Sequence, residues 1–350
     1  MPNFNILPVD RSLDMQIQQK IDLKTKPIGS LGKLEEVALQ ICRIQRTLSP
    51  GLKNPHFFVC AGDHGITAEG VSPYPQEVTY QMVYNFLSGG AAINVFARQH
   101  GFELRVVDCG VNHDFEPNAM LIDKKVAYGT RNFAVEPAMD KTECLTALAN
   151  GASLVADAKQ NGANIVAFGE MGIGNTTAAS ALFSKYCRVE PQRVCGAGTG
   201  LTTDGISHKA SVITRALEKY KSVTDPVDIL SALGGFEIAT MAGGMLKAAE
   251  LGMVVLVDGF IASSALVAAK YIQPQVMDYC IASHQSNEKG HRLMLESLGL
   301  SPILHLDMRL GEGTGAAVAY PLVESAVRFI NEMNSFEAAG VSQSTAEVGA

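Results

Sequence analysis

The chain has 350 residues, 47% of them hydrophobic and 18% charged, which excludes disorder because disordered chains combine low hydrophobicity with high net charge. A net charge of −7 supplies no basic field for nucleic acid, so any phosphate ligand must be held by local groups. Seven cysteines (42, 60, 109, 144, 187, 195 and 280) are odd in number and lack a C-x-x-C pair, which fits reduced thiols in the cytoplasm better than a disulfide framework or a zinc site. The opening MPNFNILPVDRSLD has no basic segment leading into an apolar run, so no signal peptide is expected. Helical patterns follow at 10–20 and 34–47, joined by LKTKPIGSLGKLE with its turn chemistry.

From residue 56 onward, short β-branched runs stop at a Gly or an acid and hand over to Ala-rich helical patterns. The runs are HFFVCAGDHG (56–65), ELRVVDCG (103–110), NIVAFGEMGIG (164–174), MVVLVDGF (253–260), YCIASH (279–284) and ILHLDMRLGEG (303–313). This alternation predicts an α/β fold, a Rossmann-like three-layer arrangement around a parallel sheet of about six strands. The most apolar window, 253–272, is broken by Asp258, Gly259 and two serines, so it reads as strand, turn and helix and not as a membrane span. A long amphipathic helix follows Gly315, with Pro321 expected to kink or bound it, and 338–350 reads as a frayed tail. The organisation expected is an α/β catalytic domain over 51–319, with 1–50 and 320–350 together forming a small helical subdomain.

In parallel sheets ligands bind beyond the carboxyl ends of the strands, which directs attention to Asp63, His64, Asp108, Glu170, Asp258, Ser283, His284 and Glu312. FGEMGIGNTTAAS (168–180) is a strand end, a glycine turn and a helix start, an anion site in outline. Asn175 or Thr176 fits a plain capping role there equally well. Glu170, an acid in an apolar setting, needs a partner or a purpose. VCGAGTGLTTDGISHKAS (194–211) adds a second Gly/Thr turn followed by Lys209, which suits phosphate as a point charge, although taken alone it reads more readily as a solvated surface lysine. The nucleotide-triphosphate and dinucleotide fingerprints are both absent. Asp63 and His64 have no companions at metal-ligand spacing, so no metal is expected, and the lack of a G-x-S-x-G elbow removes acyl transfer. Glu312 stands between glycines in MRLGEGTGAA (308–317), where it reads as a cap, an ion-pair partner or a base.

Taken in order, TKPIGSLGKLE (25–35), AGDHGI (61–66), GEMGIGNTT (169–177), GAGTGL (196–201), GGFEIATMAGGML (234–246), DGFIASSAL (258–266), ASHQSNEKGH (282–291) and LDMRLGEGTGAA (306–317) resemble the nicotinate-nucleotide:dimethylbenzimidazole phosphoribosyltransferase family. The resemblance spans nearly the whole chain. It implies transfer of the 5-phosphoribosyl group from nicotinate mononucleotide to 5,6-dimethylbenzimidazole, giving α-ribazole 5′-phosphate and nicotinate with inversion, in cobalamin lower-ligand assembly. It also implies a Rossmann-like sheet, a helical domain from both termini, a homodimer, small-molecule substrates only, and no cofactor.

The family's proton acceptor falls on Glu312, flanked by Gly313, Thr314 and Gly315, with Glu170 contributing near the developing cation. The phosphate falls among Gly172, Gly174, Asn175, Thr176, Gly196, Gly198 and Lys209, and Asp63 joins the substrate-binding set. The acceptor wall falls within VSPYPQEVTYQMVYNF (71–86), on Gln81 and Met82, with Tyr74, Tyr80 and Tyr84 also in range. Two other readings stay open on sequence: transfer to another base, such as adenine, another benzimidazole or a phenol, and a noncatalytic nucleotide sensor.

Overall fold

The computed structural model describes residues 4–198 and 200–342. Helices α1 (Asp14–Asp22) and α2 (Lys33–Gln45) precede the first strand, β1 (His56–Gly62). Then come α3 (Val78–Leu87), α4 (Ala92–His100), β2 (Glu103–Gly110), β3 (Leu121–Asp123), α5 (Lys141–Gln160) and β4 (Ile165–Met171). The middle holds α6 (Asn175–Cys187), α7 (Pro191–Val194), α8 (Thr203–Lys219), α9 (Pro226–Leu233), α10 (Phe236–Glu250) and β5 (Val254–Val257). The chain continues through α11 (Phe260–Ile272), β6 (Cys280–Ala282), β7 (His284–Gln285), α12 (His291–Leu298), β8 (Leu304–His305), α13 (Thr314–Glu332) and α14 (Phe336–Ala339).

Six strands form one sheet in the order β3-β2-β1-β4-β5-β6, all neighbours parallel. β1 and β5 are buried along their whole length, because helices cover both faces, and this is why they read as unbroken apolar runs. The strand count matches the expectation but the membership differs. The run at 303–313 contributes only β8, a two-residue pairing with β7 outside the main sheet, and the sixth place is taken by β3. Two residues of LID on an edge, half-exposed, carry too little apolar signal to be seen in sequence.

The chain builds outward from β1 to β2 and β3, then returns to β4 on the other side of β1. The carboxyl ends of β1 and β4 therefore flank the point where strand order reverses, the usual ligand crevice of such sheets.

The terminal segments meet. The Thr25 amide donates to the Asn334 carbonyl (3.1 Å), Asn331 donates to the Pro50 carbonyl (2.7 Å), and α13 packs on α2. Within TKPIGSLGKLE, Lys26 and Glu35 form a buried ion pair at 2.9 Å. α13 runs through Pro321 without ending, so the proline forgoes one helical hydrogen bond and does not bound the helix. Of the stretch expected to fray, Ala338 and Ala339 belong instead to α14, capped by Ser335, and residues 343–350 lie outside those described. Among the described residues no helix is long and apolar enough to cross a membrane.

Candidate active site

A cavity of about 610 Å³ opens beyond the carboxyl ends of β4 and β5, within the size usual for small-molecule sites. One wall is the glycine turn after β4 with the start of α6: Gly172, Ile173, Asn175, Thr176, and Gly198 beside them. A second wall carries three carboxyl groups, Glu170, Asp258 and Glu312. A third is the approach to and inner face of α3, through Tyr74, Val78 and Met82, with Phe260, Ile261 and Leu310 completing the apolar lining. His284, Ser286, Glu288 and Arg309 supply the remaining polar edge.

The glycine turn delivers an uncapped helix. Gly174 is the N-cap of α6 at φ +96°, with no side-chain cap bond. The capping reading of Asn175 and Thr176 is thereby corrected. Asn175 donates its side-chain amide to Glu170, and Thr176 accepts from the Lys209 ammonium at 2.7 Å. The partial positive charge of the helix start is left to face the cavity. Lys209 is no surface lysine: it is 1% exposed, and burial lowers its pKa. Its ammonium reaches a small cleft that shares Gly172, Ile173, Asn175, Thr176 and Gly198 with the main cavity.

Glu312 sits in the left-handed region at φ +62°, between Gly311 at +83° and Gly313 at +87°. A non-glycine residue held there inside a cavity wall is a strained position, of the kind found where function demands it. Its carboxylate accepts from the Ile93 amide at 3.2 Å and also from that of Ala92, so it caps the start of α4 from 219 positions away. The capping and catalytic readings of this residue are therefore compatible. Burial raises its pKa, while the two amides hold it down in part and Asp258 adds to the rise.

The neighbouring acids behave differently. Burial, with Asp258 and Glu237 adding repulsion, pushes Glu170 up to about 8. It is therefore protonated at neutral pH. Asp258 is raised by burial, but His284 at 3.7 Å and the amides of Ala316, Gly259 and Gly315 counter the rise. Glu288 is likewise raised by burial and drawn down by Lys209, Arg309 and the Gly198 amide. Arg309 donates to the Gly198 carbonyl at 3.1 Å.

The titration of Glu170 has a consequence for stability. Its folded pKa of about 8 lies above the 4.5 of an ordinary glutamate, so the native state holds a proton that the unfolded chain gives up between those two values. The group's contribution is complete below about 4.5 and is lost as pH rises toward 8. Glu170→Gln is thus expected to melt increasingly above the native protein as pH is raised across that window. Melting temperatures that differ by a constant at every pH would contradict the assignment.

Several predicted site residues lie off the cavity. Asp63 is buried behind it, accepting from the Asn112 amide at 2.8 Å. Gln81 is exposed on another face of α3, and Tyr80 and Tyr84 form an aromatic group with His113 and Phe115 instead of an acceptor wall; Tyr80 stacks on His113 at 4.4 Å. Gly313, Thr314 and Gly315 are buried under the wall: a Cβ on Gly313 would meet the Phe57 ring, and one on Gly315 the His284 ring. Gly196 approaches the Glu288 carboxylate without lining the cavity, and Thr199 of the same turn lies outside the described residues. The sequence reading assigned no role to Val78, Ile173, Phe260, Glu288 or Arg309. All five sit inside quoted segments, and for Phe260, Glu288 and Arg309 the position just past a strand end is the available signal.

A phosphoribosyltransferase family model matches residues 6–341. The chain is 52% identical over 345 residues to a Dechloromonas aromatica protein described as nicotinate-nucleotide–dimethylbenzimidazole phosphoribosyltransferase, covering 98% of this chain and 99% of that one. A Janthinobacterium protein of the same description is 52% identical over 338 residues, covering 96% of this chain and 97% of the other. Among solved structures, CobT from Thermus thermophilus superposes with a TM-score of 0.92 at 43% identity, covering 94% of this chain and 99% of that one.

Proposed function

The chain belongs to the nicotinate-nucleotide–dimethylbenzimidazole phosphoribosyltransferase family, and from that premise we propose that its cavity moves the 5-phosphoribosyl group of nicotinate mononucleotide to 5,6-dimethylbenzimidazole with Glu312 as the base. The observation that carries this reading is the placement of Glu312: a buried carboxylate in the cavity wall, held by a strained backbone and by two amides of α4.

In the donor, the pyridine nitrogen is cationic and departs neutral as nicotinate, so no general acid is required, in contrast to glycoside hydrolysis with its two carboxyl groups. One benzimidazole nitrogen forms the new bond to C1′ as the old C–N bond breaks, and the proton on the other nitrogen passes to Glu312. A raised pKa brings this carboxylate nearer the working range of a base. Asp258 and Glu312 place negative charge beside the cation that develops at C1′, while protonated Glu170 is a hydrogen-bond donor.

The donor phosphate belongs at the Gly172–Thr176 turn, where the uncapped start of α6, Lys209 behind Thr176, and Arg309 across Gly198 are the positive groups. The acceptor belongs against Val78, Met82 and Phe260, apolar side chains suited to a dimethylated ring. Inversion requires the attacking nitrogen to reach C1′ on the face opposite the departing nicotinate. We further place the enzyme in the cytoplasm as a homodimer whose terminal segments form a helical subdomain; its seven free cysteines, six of them buried, fit a reducing compartment.

The direct test is to incubate the purified protein with nicotinate mononucleotide and dimethylbenzimidazole and follow α-ribazole 5′-phosphate and nicotinate by chromatography. The expected result is equal amounts of both products. Neither product forming at high enzyme concentration overturns the reading.

A further inference from the structure

Two of the quoted segments, AGDHGI and GGFEIATMAGGML, contribute no side chain to the cavity lining, although the fold brings them together under the site. His64, just past β1, and Glu237, in the first turn of α10, are both fully buried and meet at 2.8 Å. The His64 ring lies directly beneath the glycine turn. A Cβ on Gly172 would stand 3.4 Å from it and would run into the Gly62 carbonyl, and a Cβ on Gly174 would stand 3.2 Å from that of His64. The turn is thus seated on the end of β1 with no room for a side chain.

Thr79, also fully buried, stands on the first turn of α3 and hydrogen-bonds Asp63, the residue before His64. Its hydroxyl accepts the amide of Ile173, the middle residue of the turn, at 3.1 Å. Thr79 is flanked in space and sequence by the acceptor wall, since Val78 and Met82 of the same helix line the cavity. One hydroxyl therefore joins the helix that forms the acceptor wall to the turn assigned to the donor phosphate.

We propose that Thr79 is a positioning residue for the donor phosphate: with His64 packed beneath the turn, its hydroxyl fixes the Gly172–Gly174 turn against α3 so that the amides at the start of α6 are aimed before the nucleotide arrives. This rests on the reading of that turn as the phosphate site. An amide held by a buried partner cannot rotate away, and preorganised donors bind an anion without a reordering cost. Without the hydroxyl, the Ile173 amide has no partner in an apolar setting, and the turn relaxes to find one.

The test compares two donors, nicotinate mononucleotide and its phosphate-free nucleoside. Thr79→Val keeps the shape of the side chain and removes the acceptor. It is expected to raise KM for the nucleotide about tenfold, the scale of one hydrogen bond, with kcat within about threefold and kcat/KM for the nucleoside unchanged. Thr79→Ser is expected to restore the native KM. Should the valine variant fail to fold, Thr79→Ala removes the same acceptor and gives the same readout. Equal losses on both donors, or an unchanged KM for the nucleotide, overturn the inference while leaving the phosphate assignment intact. A native enzyme that uses nucleotide and nucleoside equally well overturns both.

Discussion

Glu312→Gln is expected to lower kcat by roughly 10²–10⁴-fold, the usual cost of removing a positioned base, with KM for both substrates close to native and little change in melting temperature. The substitution is nearly isosteric. Its carbonyl oxygen can still accept from the Ile93 amide, so the cap on α4 and the wall of the cavity persist. What disappears is the ability to hold a proton from the attacking ring. The native enzyme supplies the companion measurement: turnover should fall on the acid side through a pKa above the ordinary glutamate value, because burial raises it, and the variant should lack that limb. A glutamine variant with native turnover would place the base elsewhere in the cavity.

The second large effect is expected from Gly169→Ala. Gly169 lies within β4, and a Cβ there would occupy the position of the Glu312 carbonyl and crowd the Gly313 amide. Neither neighbour yields easily. β4 is central in the sheet, and the backbone at 311–313 is already in the left-handed region. Overpacking of this kind costs typically about 1–3 kcal/mol, which should appear as a melting temperature lower by several degrees. The displacement falls on the backbone that aims the base, so kcat should drop on the order of a hundredfold as well. Adding Glu312→Gln to Gly169→Ala should lower kcat much less than it does alone, since one residue acts through the other. Strict multiplication of the two effects would show that the glycine acts only on stability.

What is legible in the sequence follows from which way the side chains face. β1, β4 and β5 were legible because burial on both faces demands unbroken apolar runs. β3 was not, because a three-residue edge needs only its hydrogen bonds to β2. The acids at the strand ends were legible by position, and Glu170, Asp258 and Glu312 do share one wall. Their division of labour was not, since it depends on burial and on the negative charge of Asp258 and Glu237, from distant parts of the chain, disfavouring the ionised form of Glu170. Lys209 illustrates the same gap. Local sequence gives a lysine on an amphipathic helix, and only the packing of α8 on α6 shows it to be buried against Thr176. On α3, the family resemblance points to the stretch 71–86 but carries no helical phase, so it takes the exposed Gln81 along with Met82 and passes over Val78 and Thr79.

The contact between the Glu312 carboxylate and the first amides of α4 ties chemistry to an observable far from the substrates. A proton arriving on that oxygen removes a full charge from a helix start, and the amides of Ala92 and Ile93 must sense the change. Their nuclear resonance frequencies become an internal gauge of whether the carboxylate is loaded or empty, readable without inhibitor or turnover.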